Sequence, residues 1–255
     1  QYNKSSTMFL VGDIGNTETK ICLLDNRYKK IKKITLNTQK LSMKYLTHKT
    51  LLIKKNFKNV EKLLFSSVVP DKYKVIKKFF KIKTKKNSFE IKELNLNKII
   101  NIKVNKKQIG SDRLANAISV FKKYKNYIII DFGTATTFDV VKSNNYIGGV
   151  IAPGVQTSLN NLSSKASLIP NIKLKKIKKI LGKNTNNSVI SGFYWGYIGL
   201  INKIIFLIKR ETKINFKIIV TGGLAHIFKN SFDYKINLNK DITLNGIIKL
   251  VRLLN

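Results

Sequence analysis

Phe9-Leu10-Val11-Gly12-Asp13-Ile14-Gly15-Asn16-Thr17 and Ile128-Ile129-Ile130-Asp131-Phe132-Gly133-Thr134-Ala135-Thr136 follow one design: an apolar run, an aspartate where it ends, a glycine two places on, then hydroxyl-bearing residues. Short apolar runs bounded by turn residues read as buried strands. After each turn comes a second β-rich stretch, residues 21–24 and 137–141, which reads as the returning arm of a hairpin. The repeat divides the chain into two related halves and predicts an α/β fold of two modest lobes. A chain of 255 residues, 43% of them hydrophobic, is long enough for both cores.

The turns have the chemistry of phosphate loops. Glycine lets backbone N–H groups approach phosphate oxygens, and Asn16 and Thr17 add donors. Asp13, held at a strand end, suits a magnesium ion that keeps its water, and Lys20 brings positive charge to the same phosphates. Alone, such a turn is also an ordinary hairpin. Its recurrence, with Thr134, Thr136 and Thr137 clustered around Gly133, favours a polar ligand. A further paired glycine, Gly222-Gly223, stands between a strand at 218–220 and an expected helix, where bare backbone can approach a nucleotide.

Around these turns the remaining elements read coarsely. Residues 63–69 form a buried strand ending at Pro70, and 71–81 a helix with Asp71 as its cap. Residues 83–98 read as connection. Leu114, Ala117, Ile118 and Phe121 make the stripe of an amphipathic helix over 112–124 that starts at Gly110-Ser111. A strand at 146–151, a helix at 153–162 and a closing helix at 241–254, with Thr243 as a candidate cap, complete the outline. Residues 188–208 are long and apolar enough for a membrane span. Three glycines, interruption by Asn202 and Lys203, and the absence of a second such stretch favour a buried or subunit-contact helix instead.

The chain carries 49 Lys and Arg against 13 Asp and Glu, a net charge of +36. That charge attracts anions such as ATP and gives non-specific affinity for nucleic acid. The lysines are scattered from Lys29 to Lys249 without interleaved aromatic platforms, which argues against a specific nucleic-acid site. The two histidines, His48 and His226, lie far apart in sequence and lack a cysteine partner, so the sequence gives no pattern for a histidine metal site or a nucleophilic triad. A single cysteine and no signal-peptide pattern point to a reducing cytoplasm. Residues 1–7, ahead of Met8 and the first strand, read as an extension outside the fold.

The ordered set DIGNTETK, GSDR, DFGTATTFD, YIGGVIAPG, ILGKNT and VTGGLA, from Met8 to Ala225, resembles the type III pantothenate kinases. These belong to the superfamily of sugar kinases, acetate kinase, actin and heat-shock ATPases. The resemblance implies two ribonuclease-H-like lobes, duplicated mixed-sheet domains with ATP in the cleft between them, and with no long linker in the chain the boundary is set near residue 117, giving lobes 8–117 and 118–255. It implies ATP-dependent phosphorylation of pantothenate to 4'-phosphopantothenate, the first step toward coenzyme A, with Mg2+ and a monovalent cation, K+ or NH4+. It also implies a homodimer.

By matching position, Asp13, Ile14, Gly15, Asn16, Thr17, Glu18, Thr19, Lys20 and Thr134 would contact ATP. Asp13 would hold Mg2+ through water and Asp131 the K+. Gly110, Ser111, Asp112, Arg113 and Thr185 would meet pantothenate, with Asp112 as proton acceptor. Independently, a phosphoryl transfer needs a carboxylate to orient the hydroxyl and take its proton, and an arginine suits an anionic substrate. The blander reading of these two is a helix cap and a solvated cation. Residues 102–109 lack the tyrosine and proline usual upstream of the GxDR motif, and Ser111 stands where alanine is usual. A non-catalytic relative and a kinase for another hydroxyl compound are the competing readings.

Overall fold

The computed structural model describes residues 7–254. The expected N-terminal extension therefore lies outside the described residues, apart from Thr7, which leads into the first strand. Two compact units divide the chain: residues up to Val120 together with those from Asp241 onward, and Phe121–Lys240.

The first unit opens with three antiparallel strands, β1 (Met8–Ile14), β2 (Glu18–Leu24) and β3 (Lys30–Asn37), followed by helix α1 (Met43–Lys49). Strand β4 (Val60–Ser67) then runs parallel beside β1, helix α2 (Pro70–Thr84) follows, and β5 (Ser88–Glu90) pairs parallel to β4. The sheet order is β3-β2-β1-β4-β5, so β1 is central, and Leu10, Val11 and Ile14 are fully buried. Leu10, Ile14, Leu63 and Phe65 share a core with Tyr73, Ile76, Phe79 and Phe80 of α2. Pro70 occupies the first turn of α2 with Val69 at the cap position, so Asp71 is not the cap. It lies one place inside, where its charge favours the helix N-terminus. Residues 83–98, expected as connection, contain β5 and a one-turn 3-10 helix at Ile91–Glu93. A two-residue strand β6 (Asn101–Ile102) precedes helix α3 (Ser111–Val120), which ends before Phe121.

The second unit repeats the scheme. Strands β7 (Asn126–Phe132), β8 (Ala135–Lys142) and β9 (Asn145–Pro153) form an antiparallel meander, followed by α4 (Val155–Lys165) and the long α5 (Thr185–Thr212). Strand β10 (Lys217–Gly222) runs parallel beside β7, as β4 does beside β1, and β11 (Ile236–Leu238) adds beyond it. Among the strands of this unit the order is β11-β10-β7-β8-β9. Helix α5 has the length and composition to cross a membrane. Ile190, Tyr194, Ile198, Ile201, Ile205 and Ile208 nevertheless form one stripe of it and lie in the core of this unit, as expected for a core helix.

The closing helix α6 (Ile242–Leu253) corrects the expected lobe boundary. It packs on α3, β1 and β4 and so belongs to the first unit, and the division falls after Val120 rather than after residue 117. The reason is a face of Ile242, Ile247, Leu250 and Val251 that the first sheet needs covered, together with an approach so close that a Cβ at Gly246 would stand 1.8 Å from the Ala115 carbonyl oxygen. Thr243 is not the cap: its hydroxyl donates to Asn116 Oδ1 at 2.8 Å, and Asp241 occupies the cap position. Asp241 pairs with Lys33 at 2.9 Å and Lys30 at 3.2 Å, both on β3.

Gly246→Ala must push α6 away from the Ala115 backbone, which no rotamer change can relieve. Overpacking of this kind costs about 1–3 kcal/mol, and we expect a lower urea midpoint with an unchanged m-value. An unchanged midpoint would show that the helices are not in that close contact.

Candidate active site

In the first unit the turn after β1 is closed by the Gly15 N–H donating to the Glu18 carbonyl at 3.0 Å, and Asn16, Thr17 and Glu18 are exposed. A second segment braces it: Thr38 N–H donates to the Thr17 carbonyl at 2.9 Å and Gln39 Nε2 to the Asn16 carbonyl at 3.3 Å. Two expected ATP contacts turn inward. Ile14 is a core residue, and the Thr19 hydroxyl is buried against that of Thr38 at 2.9 Å. They hold the turn in shape, and only their backbone groups are left to meet a ligand.

Strand register aligns the polar side chains. Asp13 stands opposite Lys20 on β2 and Ser66 on β4, and paired residues project from the same sheet face. The Ser66 hydroxyl is buried without a hydrogen-bond partner. Sequence reading missed Ser66, because its place is set by pairing with β1 and not by any local motif. The second unit repeats this row: Asp131 stands opposite Thr137 on β8 and Thr221 on β10. On the other face Phe132 stacks on Phe228 with ring centroids 5.0 Å apart, fixing the strand end that presents Asp131. Gly133 N–H closes its turn onto the Ala135 carbonyl at 3.1 Å, leaving Thr134 exposed.

Both rows offer oxygen donors to a hard cation. Among the described residues no group of three or more His, Cys, Asp or Glu could hold a metal ion. A single carboxylate per row fits a magnesium ion that keeps most of its water, or a monovalent ion shared with hydroxyls, rather than an all-protein cage.

Gly110-Ser111-Asp112-Arg113 forms the entry to α3. The Arg113 N–H donates to Asp112 Oδ1 at 2.8 Å, folding the carboxylate over Gly110, where a Cβ would come within 2.5 Å of the same oxygen. Val68 joins this loop to the Asp13 turn. Its N–H donates to the Ile14 carbonyl at 3.1 Å, and its Cγ1 lies 3.8 Å from where a Gly110 Cβ would be. Burial raises the pKa of Asp112, against the opposing effects of the Arg113 amide and guanidinium.

Thr185 is the first residue of α5 and is exposed, beside the cap residue Asn184, whose Oδ1 accepts from Asn187 N–H at 2.9 Å. With Ile172, Lys173 and Lys175 it lines a cavity of about 640 Å³. Gly222, at φ +92°, passes 2.5 Å from the Phe132 carbonyl oxygen at its would-be Cβ, so only glycine fits. The expected helix after Gly223 is instead a succession of turns over residues 223–230. His226 Nδ1 lies 3.0 Å from the Gly223 carbonyl within them.

A model of the type III pantothenate kinase family matches residues 9–206. The chain is 55% identical to the type III pantothenate kinase of Pelagibacter ubique strain HTCC1062, over 97% of this chain and all of that one. It is 34% identical to the enzyme of that name from Ehrlichia canis strain Jake, over 97% of each. Among solved structures it resembles a Baf family transcriptional activator from Campylobacter jejuni, with a TM-score of 0.59 and 20% identity over 96% of this chain and 98% of that one. It also resembles component A of the (R)-2-hydroxyglutaryl-CoA dehydratase of Acidaminococcus fermentans, at 0.52 and 12% over 96% of each. At these identities the structural likenesses establish the fold alone.

The raised pKa of Asp112 makes a prediction about stability. A carboxyl whose pKa is higher folded than unfolded stabilises the fold below its unfolded value, and that contribution is lost as pH rises through the folded one. Asp112→Asn removes the buried charge, so its midpoint should equal or exceed wild type at pH 8. The gap should close as the pH falls toward 4. A midpoint well below wild type at pH 8 would contradict the assignment.

Proposed function

The chain belongs to the type III pantothenate kinase family, and from that premise we propose how its residues divide the work of phosphorylating pantothenate with ATP in coenzyme A biosynthesis. The observation that carries the assignment is Val68, which joins the Asp13 turn to the Gly110–Arg113 loop at the carboxyl ends of β1 and β4. In open parallel sheets that end is where ligands sit.

Asp13, Gly15, Asn16, Thr17, Glu18 and Lys20 with Thr134 take the phosphates of ATP, and Ile14 and Thr19 contribute through their backbone. Magnesium, held by Asp13 through water, would neutralise charge on the phosphates. Asp131, with Thr137 and Thr221 in its row, suits a monovalent cation, K+ or NH4+. Gly110 and Arg113, with the backbone of the buried Ser111 and with Thr185, receive pantothenate, Arg113 offering paired donors to its carboxylate.

Asp112 orients the primary hydroxyl. As the hydroxyl oxygen bonds to the γ-phosphorus and the bond to the β-phosphate oxygen breaks, its proton passes to Asp112 and ADP leaves. Burial raises the pKa of this base, so it binds a proton more readily than an exposed aspartate. Positioning and charge neutralisation lower most of the barrier.

We assign the enzyme to the cytoplasm and give it no specific nucleic-acid partner. We further propose a homodimer joined through α5. Gly192, Gly196 and Gly199 fall on one face of that helix, away from the core stripe, and an added Cβ meets nothing within 4 Å at any of them. Beside them Leu162, Val189, Phe193 and Leu200 line an apolar groove of about 350 Å³. Small residues spaced this way let a second helix approach closely.

A coupled ADP-release assay tests the reaction. Turnover should require pantothenate and be severalfold faster in potassium than in sodium. Absence of turnover above the ATP-only control, with potassium present, would refute the kinase reading. Asp112→Asn should lower kcat by about 10²- to 10⁴-fold while leaving ATP binding intact.

The dimer has its own test in light scattering. Gly196→Trp should give a folded monomer, because the site is open within one chain, and a wild-type mass equal to one chain would exclude the interface.

A further inference from the structure

Ser66 has a fully buried hydroxyl near the end of β4, and that hydroxyl makes no hydrogen bond. A buried polar group without a partner costs stability, whereas an apolar side chain of nearly the same shape does not. The hydroxyls around it are satisfied. That of Ser67 accepts from the Val69 N–H at 3.2 Å where β4 gives way to α2, and the buried Thr19 hydroxyl meets that of Thr38 at 2.9 Å. Ending the strand and bracing the turn after β1 therefore do not require a serine at 66.

Strand geometry fixes what the Ser66 hydroxyl faces. Side chains alternate along β4, so with Phe65 in the core shared with α2, Ser66 projects from the opposite face. Its register partner across the parallel pair is Asp13, and paired strands lie about 4.8 Å apart. A serine hydroxyl turns on a single side-chain bond and both donates and accepts, so a change of rotamer brings it to a carboxylate at that spacing. Complete burial keeps a phosphate from reaching it. Asp13 is only partly buried, so it can meet a ligand on one side and Ser66 on the other.

We propose that Ser66 is a positioning residue for magnesium: in the magnesium complex of the nucleotide its hydroxyl donates to the Asp13 carboxylate and fixes which oxygen is presented to the metal-bound water. This rests on the proposed role of Asp13. It does not need Ser66 to touch either substrate.

Calorimetric titration of the full chain with ATP, in magnesium and in EDTA, compares wild type, Ser66→Ala, Asp13→Asn and the double variant, with Ser88→Ala as control. Ser88 of β5 is also buried with an unpartnered hydroxyl, but it stands opposite Leu63, on the α2 face of the sheet. Ser66→Ala should weaken ATP binding in magnesium about tenfold, the low end for a group that orients a metal's ligand, and by less than about twofold in EDTA. Asp13→Asn should abolish most of the gain that magnesium gives, and adding Ser66→Ala to it should change nothing further. Ser88→Ala should leave both affinities as they are. Neither alanine variant should lower the urea midpoint, since each deletes a buried group without a partner.

An unchanged affinity of Ser66→Ala in magnesium, an equal loss in EDTA, a loss that persists beside Asp13→Asn, an equal loss in Ser88→Ala, or a lower midpoint of Ser66→Ala would each overturn the proposal. Asp13→Asn separates the two ways of failing. If it keeps the full effect of magnesium, the reading of Asp13 is wrong and that of Ser66 falls with it. If it loses that effect while Ser66→Ala retains it, Asp13 keeps its role and Ser66 alone is refuted.

Discussion

The first unit depends on one close contact between segments far apart in sequence, the fit of Gly246 against the Ala115 carbonyl. Helix α3 has ten residues, too few to be stable alone. Its orientation comes from what it lies on, and α6 supplies that support through Gly246 and the Thr243–Asn116 hydrogen bond. Because α3 begins at Ser111, any tilt in it is carried directly to Asp112 and Arg113. The closing helix is in turn held at its start by Asp241, where the ammonium groups of Lys33 and Lys30 outweigh burial and keep the carboxyl below its ordinary pKa. A chain that returns at its end to the unit in which it began therefore fixes the geometry of a loop over a hundred residues earlier.

The duplicated strand-turn design explains why the two units resemble each other and why their polar rows differ. Each central strand ends in an aspartate with a neighbour on either side at the same register, Lys20 and Ser66 around Asp13, Thr137 and Thr221 around Asp131. The first row carries a cation of its own and the second carries only hydroxyls. A lysine beside Asp13 complements phosphate directly. In the second row Asp131 stands between two threonines, and the proposed monovalent cation would be held by these oxygens.

Local chemistry made the strand-turn motifs, the α2 and α5 stripes and the GSDR loop legible in the sequence, since each is encoded within a few residues. What escaped was set by pairing at a distance. Strand β5 is three residues long within a lysine- and asparagine-rich stretch, and only its register with β4 makes it a strand. Ser66 became a site candidate through its place opposite Asp13. The cap assignments for Asp71 and Thr243 failed for a related reason: Pro70 could start α2 one residue earlier, and Thr243 had a better partner in Asn116. Ile14 and Thr19 fell within a motif whose alternating side chains must point to both faces, so not every residue of it could face a ligand.

The net charge of +36 bears on the site in a way that composition alone obscures. Asp241 pairs with Lys30 and Lys33, and Lys74 and Lys77 make surface pairs; with 49 Lys and Arg against 13 Asp and Glu, most of the positive charge has no acidic counterpart. Self-repulsion of that kind opposes compactness, and the two apolar cores must overcome it. The same field draws ATP and a carboxylate-bearing substrate toward the protein. A surrounding positive field would by itself make every carboxylate more acidic. That Asp112 and Glu90 shift the other way shows burial, a short-range effect, prevailing over charges at longer range that solvent screens. A strongly basic surface and carboxyls with raised pKa can therefore coexist in one chain.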